Sequence, residues 1–306
     1  MVSARGAGIA LPPRSWRRAP VEELTAAFAP RGEFGRLTTA ARLLGADVHL
    51  WSDLRAEVHR ARIWLADRRL LDIAWEPSRA ALHPHRDLRT AQPLLPWDRW
   101  LPTSACAEQI AEVVQALRSA RRTLDERRGA PPLLAAAGVQ LLTQEYAPFF
   151  IDARVRRATL RELAGDVVSA LDPAPVPGSG LILSYTPDAL AVASDGTLAV
   201  MRRYRPRAPE VRFAAAQAVL DIRLLRDIVE RGGQAQRHDL DVVRHARMRL
   251  GFGSLPALRF GDIRTVVGLD AGTSPRLRQQ AEAVAEALRS NGIDLTAVDV
   301  VETPSP

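Results

Sequence analysis

Apolar residues recur at helical spacing between Ser104 and Arg128. Ile110, Val113, Val114, Leu117 and Leu124 share one face there, and Ser104 is placed to cap the first turn. The same pattern predicts shorter helices over Pro20 to Phe28, with proline at the start, over Leu37 to Leu44, and over Ser52 to Leu65. The proline-rich stretch from Glu76 to Pro102 reads as a loop. Residues 1–130 therefore read as a mostly helical region.

The pattern changes further along. Leu160, Leu163, Val167 and Leu171 predict an amphipathic helix over Arg154 to Leu171, followed by a breaker cluster from Asp172 to Gly178. Leu181 to Tyr185 reads as a strand. Ala189 to Ala193 and Thr197 to Arg203 read as a hairpin turned at Asp195-Gly196, a dipeptide that accepts the positive φ of tight turns. A long helix is expected over Pro209 to Arg231, with Phe213, Leu220, Leu224 and Ile228 inward and Gly232-Gly233 as its stop. Ile263 to Leu269 reads as a strand. Ser274-Pro275 opens a last helix that ends at Asn291-Gly292, and Val298 to Val301 reads as a final strand. The expected class is α/β (α+β): a mostly helical N-terminal region, then a mixed-sheet domain over residues 131–306 with a helix-strand-strand-strand-helix core. All six tryptophans lie in the first third of the chain, and the seam is expected at Arg127 to Pro132, where charge, glycine and proline interrupt the pattern.

Composition narrows the chemistry. All 42 basic residues are arginine, so a phosphate-loop lysine, a Schiff-base lysine and a lysine general base are excluded. The net charge of +7, with 35 acidic residues interleaved, permits local nucleic-acid contacts without demanding them. Cys106 is the single cysteine, which rules out an internal disulfide and fits a cytoplasmic location. No apolar run reaches the length of a membrane span, so no membrane partner is expected.

One constellation carries chemistry. Thr186-Pro187-Asp188 leads into a strand, Asp195-Gly196 turns it, Leu198 to Arg203 forms the next strand, and Tyr204-Arg205-Pro206 follows. Over about residues 154–233 this resembles the PD-(D/E)XK nuclease-like core, most nearly that of the endonuclease subunits of heteromeric transposases. Such a core implies a divalent metal, Mg2+, held on neighbouring strand carboxylates, with a lysine beside the attacking water and a glutamate from a helix. The resemblance assigns the first carboxylate to Asp188 and the helical glutamate to Glu162. The third strand departs from the pattern. Met201 and Arg203, or with a shift of two residues Arg203 and Arg205, stand where a carboxylate and a lysine belong. Neither methionine nor arginine ligates magnesium, and arginine does not give up a proton near neutral pH.

No metal ligand set or cofactor is therefore expected, with Mg2+ relevant only if nuclease activity survives. Arg202, Arg203, Arg205 and Arg207 become candidate contacts to a phosphate backbone. Strand alternation places Arg203, Arg205 and Arg207 on one face and Arg202 on the other. Two functions follow. One is a DNA-associated accessory subunit with an inactive or atypical nuclease-like core, working beside a nuclease or recombinase partner. The other is a non-enzymatic adaptor that docks proteins through its N-terminal region.

Weaker signals remain. Thr38 to Gly45 resembles the first helix and turn of a helix-turn-helix. His83-Pro84-His85 with Asp87, and His238 with His245, are sparse histidine pairs more in keeping with surface polar groups than with a metal site. Cys106 sits at a helix start, where the dipole lowers a thiol pKa, but with no histidine beside it in sequence it reads as a buried or bystander cysteine. Gly272-Thr273-Ser274 precedes a helix start and reads as a capped turn.

Overall fold

The computed structural model describes residues 21–53, 58–65, 68–85, 89, 97–124, 132–143, 162–171 and 187–303. They form a mixed α/β protein with two five-stranded sheets. Among these residues no helix is long and apolar enough to cross a membrane.

The N-terminal region is where expectation and structure part. Helices α1 (Val21–Ala26), α2 (Gly35–Leu44) and α3 (Cys106–Leu124) are present. Between them lies an antiparallel sheet, not further helix. Its strands are β1 (Asp47–Asp53), β2 (Val58–Leu65), β3 (Arg68–Glu76), β4 (Arg79–Pro84) and β5 (Leu101–Pro102), in sequential order. The region is thus α+β, and the mostly helical reading is corrected. The stretch from Ser52 to Leu65 misleads because Leu54, Val58, Ala61 and Leu65 fall at helical spacings. The alternation of Arg60, Ala61, Arg62 and Ile63 is what the fold uses, with Ala61 and Ile63 in the core. Glu76 to Pro102 is likewise not all loop. Pro77-Ser78 joins β3 to β4 as a tight turn, closed by Glu76 across from Arg79 and their 2.8 Å ion pair.

Large side chains fill this core. Phe28 and Phe34 stack 5.0 Å apart, and Trp75 meets Phe28 edge-on at 5.1 Å. His59 of β2 lies 5.4 Å from the Trp75 ring and 3.6 Å from the Glu23 carboxylate of α1.

The second sheet follows the sequence reading more closely. Its order is β10-β9-β8-β7-β6, with β6 (Val139–Thr143), β7 (Ala189–Ala193), β8 (Thr197–Tyr204), β9 (Arg259–Asp270) and β10 (Val298–Thr303). Strands β6, β7 and β8 are antiparallel, while β8, β9 and β10 are parallel. Asp195-Gly196 does turn the β7–β8 hairpin. Gly196 takes φ +90°, and a Cβ there would sit 2.1 Å from the Ala257 carbonyl oxygen, so glycine is required. The expected antiparallel unit exists, but its first strand is Val139–Thr143. Leu181 to Tyr185, Thr186, residues 154–161 and residues 127–131 of the expected seam lie outside the described residues.

Helix α4 (Pro132–Ala136) covers one face of this sheet. The other face carries α5 (Gly165–Leu171), α6 (Ala214–Arg249) and α7 (Pro275–Ser290). Pro209–Phe213 is a short 3-10 turn, and α6 starts after it. Helix α6 runs for 36 residues, straight through Gly232-Gly233, which does not stop it. Its first half packs in one core, and its second half reaches both, with Leu240 and Val243 still under the second sheet. Leu220, Leu224, Leu225 and Val229 pack under the second sheet, while Val242, Ala246 and Leu250 complete the N-terminal core. Arg247 of α6 also binds Asp47 of β1 at 2.7 Å.

Candidate functional site

Strand alternation builds the site. Leu190 and Val192 of β7 and Leu198 and Val200 of β8 pack toward α6, whereas Ala189, Ala191, Ala199 and Met201 pack toward α4. Arg202 continues the first set and lies under α6. It is 7% exposed.

There it meets Asp221, which is 1% exposed on α6. The guanidinium donates two bonds to that carboxylate, Nε to Oδ2 and Nη2 to Oδ1, the second at 2.7 Å. Gln217, one turn earlier on α6, donates its amide to the same Oδ1 at 3.3 Å. Burial pushes the Asp221 carboxyl up from its ordinary value, while Arg202 and Gln217 pull it down. A buried carboxylate without a countercharge is costly, and the two-point guanidinium contact supplies one.

Asp188 stands at the head of β7. Its backbone N–H donates to the Met201 carbonyl at 2.9 Å, and its Oδ2 accepts from the Arg203 backbone N–H at 2.5 Å. Since Ala189 pairs with Met201, Asp188 lies across from Arg202. Its charge adds to the upward push on Asp221. Tyr204 closes the group. Burial raises its phenol well above the usual range, Arg202 lowers it, and Asp221, Asp188 and Glu210 raise it further, so it stays neutral at every ordinary pH.

This donor set does not fit magnesium. Both Asp221 oxygens are engaged by a guanidinium, and Met201 packs on the opposite sheet face. Among the described residues no group of three or more His, Cys, Asp or Glu side chains is arranged to hold a metal ion. Glu162 is exposed and lies three residues before α5.

The arginines divide. Arg202 is consumed inside the protein, which removes it from the phosphate-facing set. Arg203 is half-buried, and Arg205 and Arg207 are exposed. Strand β8 ends at Tyr204, so alternation separates Arg202 from Arg203 but does not extend to the other two. Arg205 and Arg207 instead lie in the loop that feeds the 3-10 turn and α6, closed by an Ala208 N–H to Arg205 carbonyl bond of 3.0 Å.

Asp221 and Gln217 are the residues that sequence reasoning missed. The signal that could have found them is spacing. Gln217, Asp221, Leu224 and Ile228 fall on one helical stripe, which places two polar groups on the apolar face of α6.

The weaker signals resolve simply. Helix α2 ends at Gly45, with φ 70°, and the chain enters β1, so no second helix of a helix-turn-helix follows. Cys106 is buried, and burial raises its thiol pKa, opposite to the effect of the dipole; a weak bond to the Ala80 carbonyl only partly offsets it. His83 pairs with Asp98 at 2.7 Å. His245 sits 2.6 Å from Arg244 on α6. The Gly272-Thr273-Ser274 turn is internally occupied. Asp270 accepts from the Gly272 N–H, Ser274 caps α7, and Arg278 binds the carbonyls of Asp270, Ala271 and Thr273.

Comparison with protein-family models, with curated proteins and with solved structures finds no match to this chain.

Proposed function

We propose that this protein is a DNA-associated accessory subunit whose nuclease-like core is non-catalytic. In this reading Arg205 and Arg207, with Arg203 beside them, contact a phosphate backbone. The observation that carries it is the division of the arginines. One is locked onto Asp221, while two stand exposed on the loop that leads from β8 to the 3-10 turn, free to meet a phosphate backbone. Asp188, with a bond to the Arg203 backbone N–H and in no group of three or more metal-capable side chains among the described residues, acts as a strand-end anchor rather than a metal ligand.

Binding to duplex DNA across a salt series tests the reading. Removing one arginine–phosphate interaction makes the slope of log affinity against log salt shallower by roughly 0.9. Arg205→Ala with Arg207→Ala is expected to flatten it by roughly twice that. Wild-type protein is expected to leave DNA uncut in Mg2+ or Mn2+. Absence of DNA binding at low salt would replace this reading with the adaptor one, and cleavage that disappears in Asp188→Ala would overturn the non-catalytic part.

A further inference from the structure

We propose that β10 is a self-association edge, at which two copies of this chain join their second sheets into one continuous sheet. The inference goes beyond DNA association and does not rest on it. Among the described residues β10 has one strand neighbour, β9. Two hydrogen bonds fix which groups line its other edge. The Thr265 N–H donates to the Ala297 carbonyl at 2.9 Å, and the Ala271 N–H donates to the Thr303 carbonyl at 2.8 Å. Odd-numbered residues therefore aim their backbone at β9, and the N–H and C=O groups of Val298, Val300 and Glu302 point away from it. Such a row is a template for a further strand.

The occupant follows from register and charge. A twofold axis perpendicular to the sheet sets two β10 strands antiparallel, and their outward groups meet only where even-numbered residues face even-numbered residues. Centring on Val300 does this. Val300 meets the partner's Val300, Val298 meets the partner's Glu302, and every outward backbone group of the strand is used. Asp299 falls opposite the partner's Val301, so no acid faces an acid. Centring on Asp299 or on Glu302 sets like charges against each other, and centring on Val301 puts Val298 opposite Pro304, which has no N–H to give. The side chains suit the same join. Val300 is 60% exposed, although it lies on the sheet face that Val298 shares with α7. Asp299 and Glu302 are each neutralised within their own chain, by Arg264 at 3.1 Å and by Arg278. The charges that would hold two such edges apart are thus compensated before they meet.

Sedimentation of the whole 306-residue chain across a concentration series tests it, with wild type, Val300→Pro and Val300→Lys. Wild type is expected to reach twice the 33.5 kDa chain mass. Val300→Pro removes an N–H that faces the edge, and Val300→Lys sets two like charges on the axis. Each is expected to weaken self-association at least about tenfold while keeping the wild-type circular dichroism spectrum. Register is read by thiol cross-linking of Val300→Cys and Glu302→Cys, with wild type, whose Cys106 is buried, as the background. The reagent is too short to bridge the about 14 Å that would separate the two Glu302→Cys positions along the strands. Val300→Cys is expected to link and Glu302→Cys is not. A wild type that stays monomeric at every concentration overturns the proposal. So does undiminished association in either folded Val300 variant, failure of Val300→Cys to link, or linking of Glu302→Cys.

Discussion

The N-terminal core packs Phe28, Phe34 and Trp75 against its sheet, whereas the α4-facing side of the second sheet is made of Ala189, Ala191, Ala193 and Ala199 around Met201. The two regions also treat charge differently. Glu76 and Arg79 pair across a turn at the rim of the first sheet, with the arginine side chain 54% exposed. In the second region Arg202 and Asp221 pair beneath a helix, at 9% and 2%. Around the ring-filled core the pairs keep one partner part-exposed, as Asp47 does at 29% beside the buried Arg247. Where a long helix lies over a strand end, one ion pair is drawn inside, and the residues around it are selected by charge as much as by volume.

Breaking the buried pair is the strongest way to test that contrast. Asp221→Ala leaves Arg202 buried and unmatched, and a loss of about 3–5 kcal/mol is expected from denaturant titration. Replacing both, with Arg202→Met and Asp221→Leu, is expected to recover most of it, because no unpaired charge remains. Phe34→Ala belongs to the same range, about 3–5 kcal/mol, but by emptying volume rather than stranding charge. Filling the cavity with a small apolar solute then distinguishes the two, since only the Phe34 variant is expected to be stabilised.

A smaller effect comes from His59. Burial lowers its pKa below the ordinary 6.5, with Glu23 opposing through its charge and hydrogen bond. The unfolded chain therefore takes up a proton first, so the contribution of neutral His59 is present above pH 6.5 and is lost as pH falls below it. Stability measured against pH is expected to slope downward on that acid side, and His59→Gln is expected to flatten the slope. Least of all, Glu76→Gln is expected to leave the unfolding midpoint unchanged within error, as its solvent-facing pair is screened by water. A clear loss there would erase the distinction between rim and interior pairs.

Legibility in the sequence follows local chemistry. The Asp195-Gly196 hairpin is readable because only a turn needs that dipeptide between two short apolar runs. The helix Cys106–Leu124 is readable from a single apolar stripe, and the final helix from Pro275 from its stripe and its Ser274 cap. Strand β2 is hidden because its apolar residues satisfy two periods at once, and only pairing with β1 and β3 decides between them. Gly232-Gly233 reads as a helix stop because glycine costs about 1 kcal/mol in a helix. Packing on both flanks overrides that local preference. At the candidate site, Asp188 and the arginines can be named from the sequence, but the partner of Arg202 cannot. Asp221 lies nineteen residues away on another element, and nothing local announces a cross-element ion pair.

Helix α6 carries a thermodynamic consequence for the whole chain. Its first half walls one core and its second half, through Leu240 and Val243 on one side and Val242 and Ala246 on the other, walls both, so neither core can melt without removing part of the other's wall. A helix of 36 residues that is gripped at both ends transmits loss of order along its own hydrogen bonds. The two sheets are therefore expected to unfold together, in one calorimetric transition whose van't Hoff and calorimetric enthalpies agree. A proline placed at the middle of α6 would divide that transition in two.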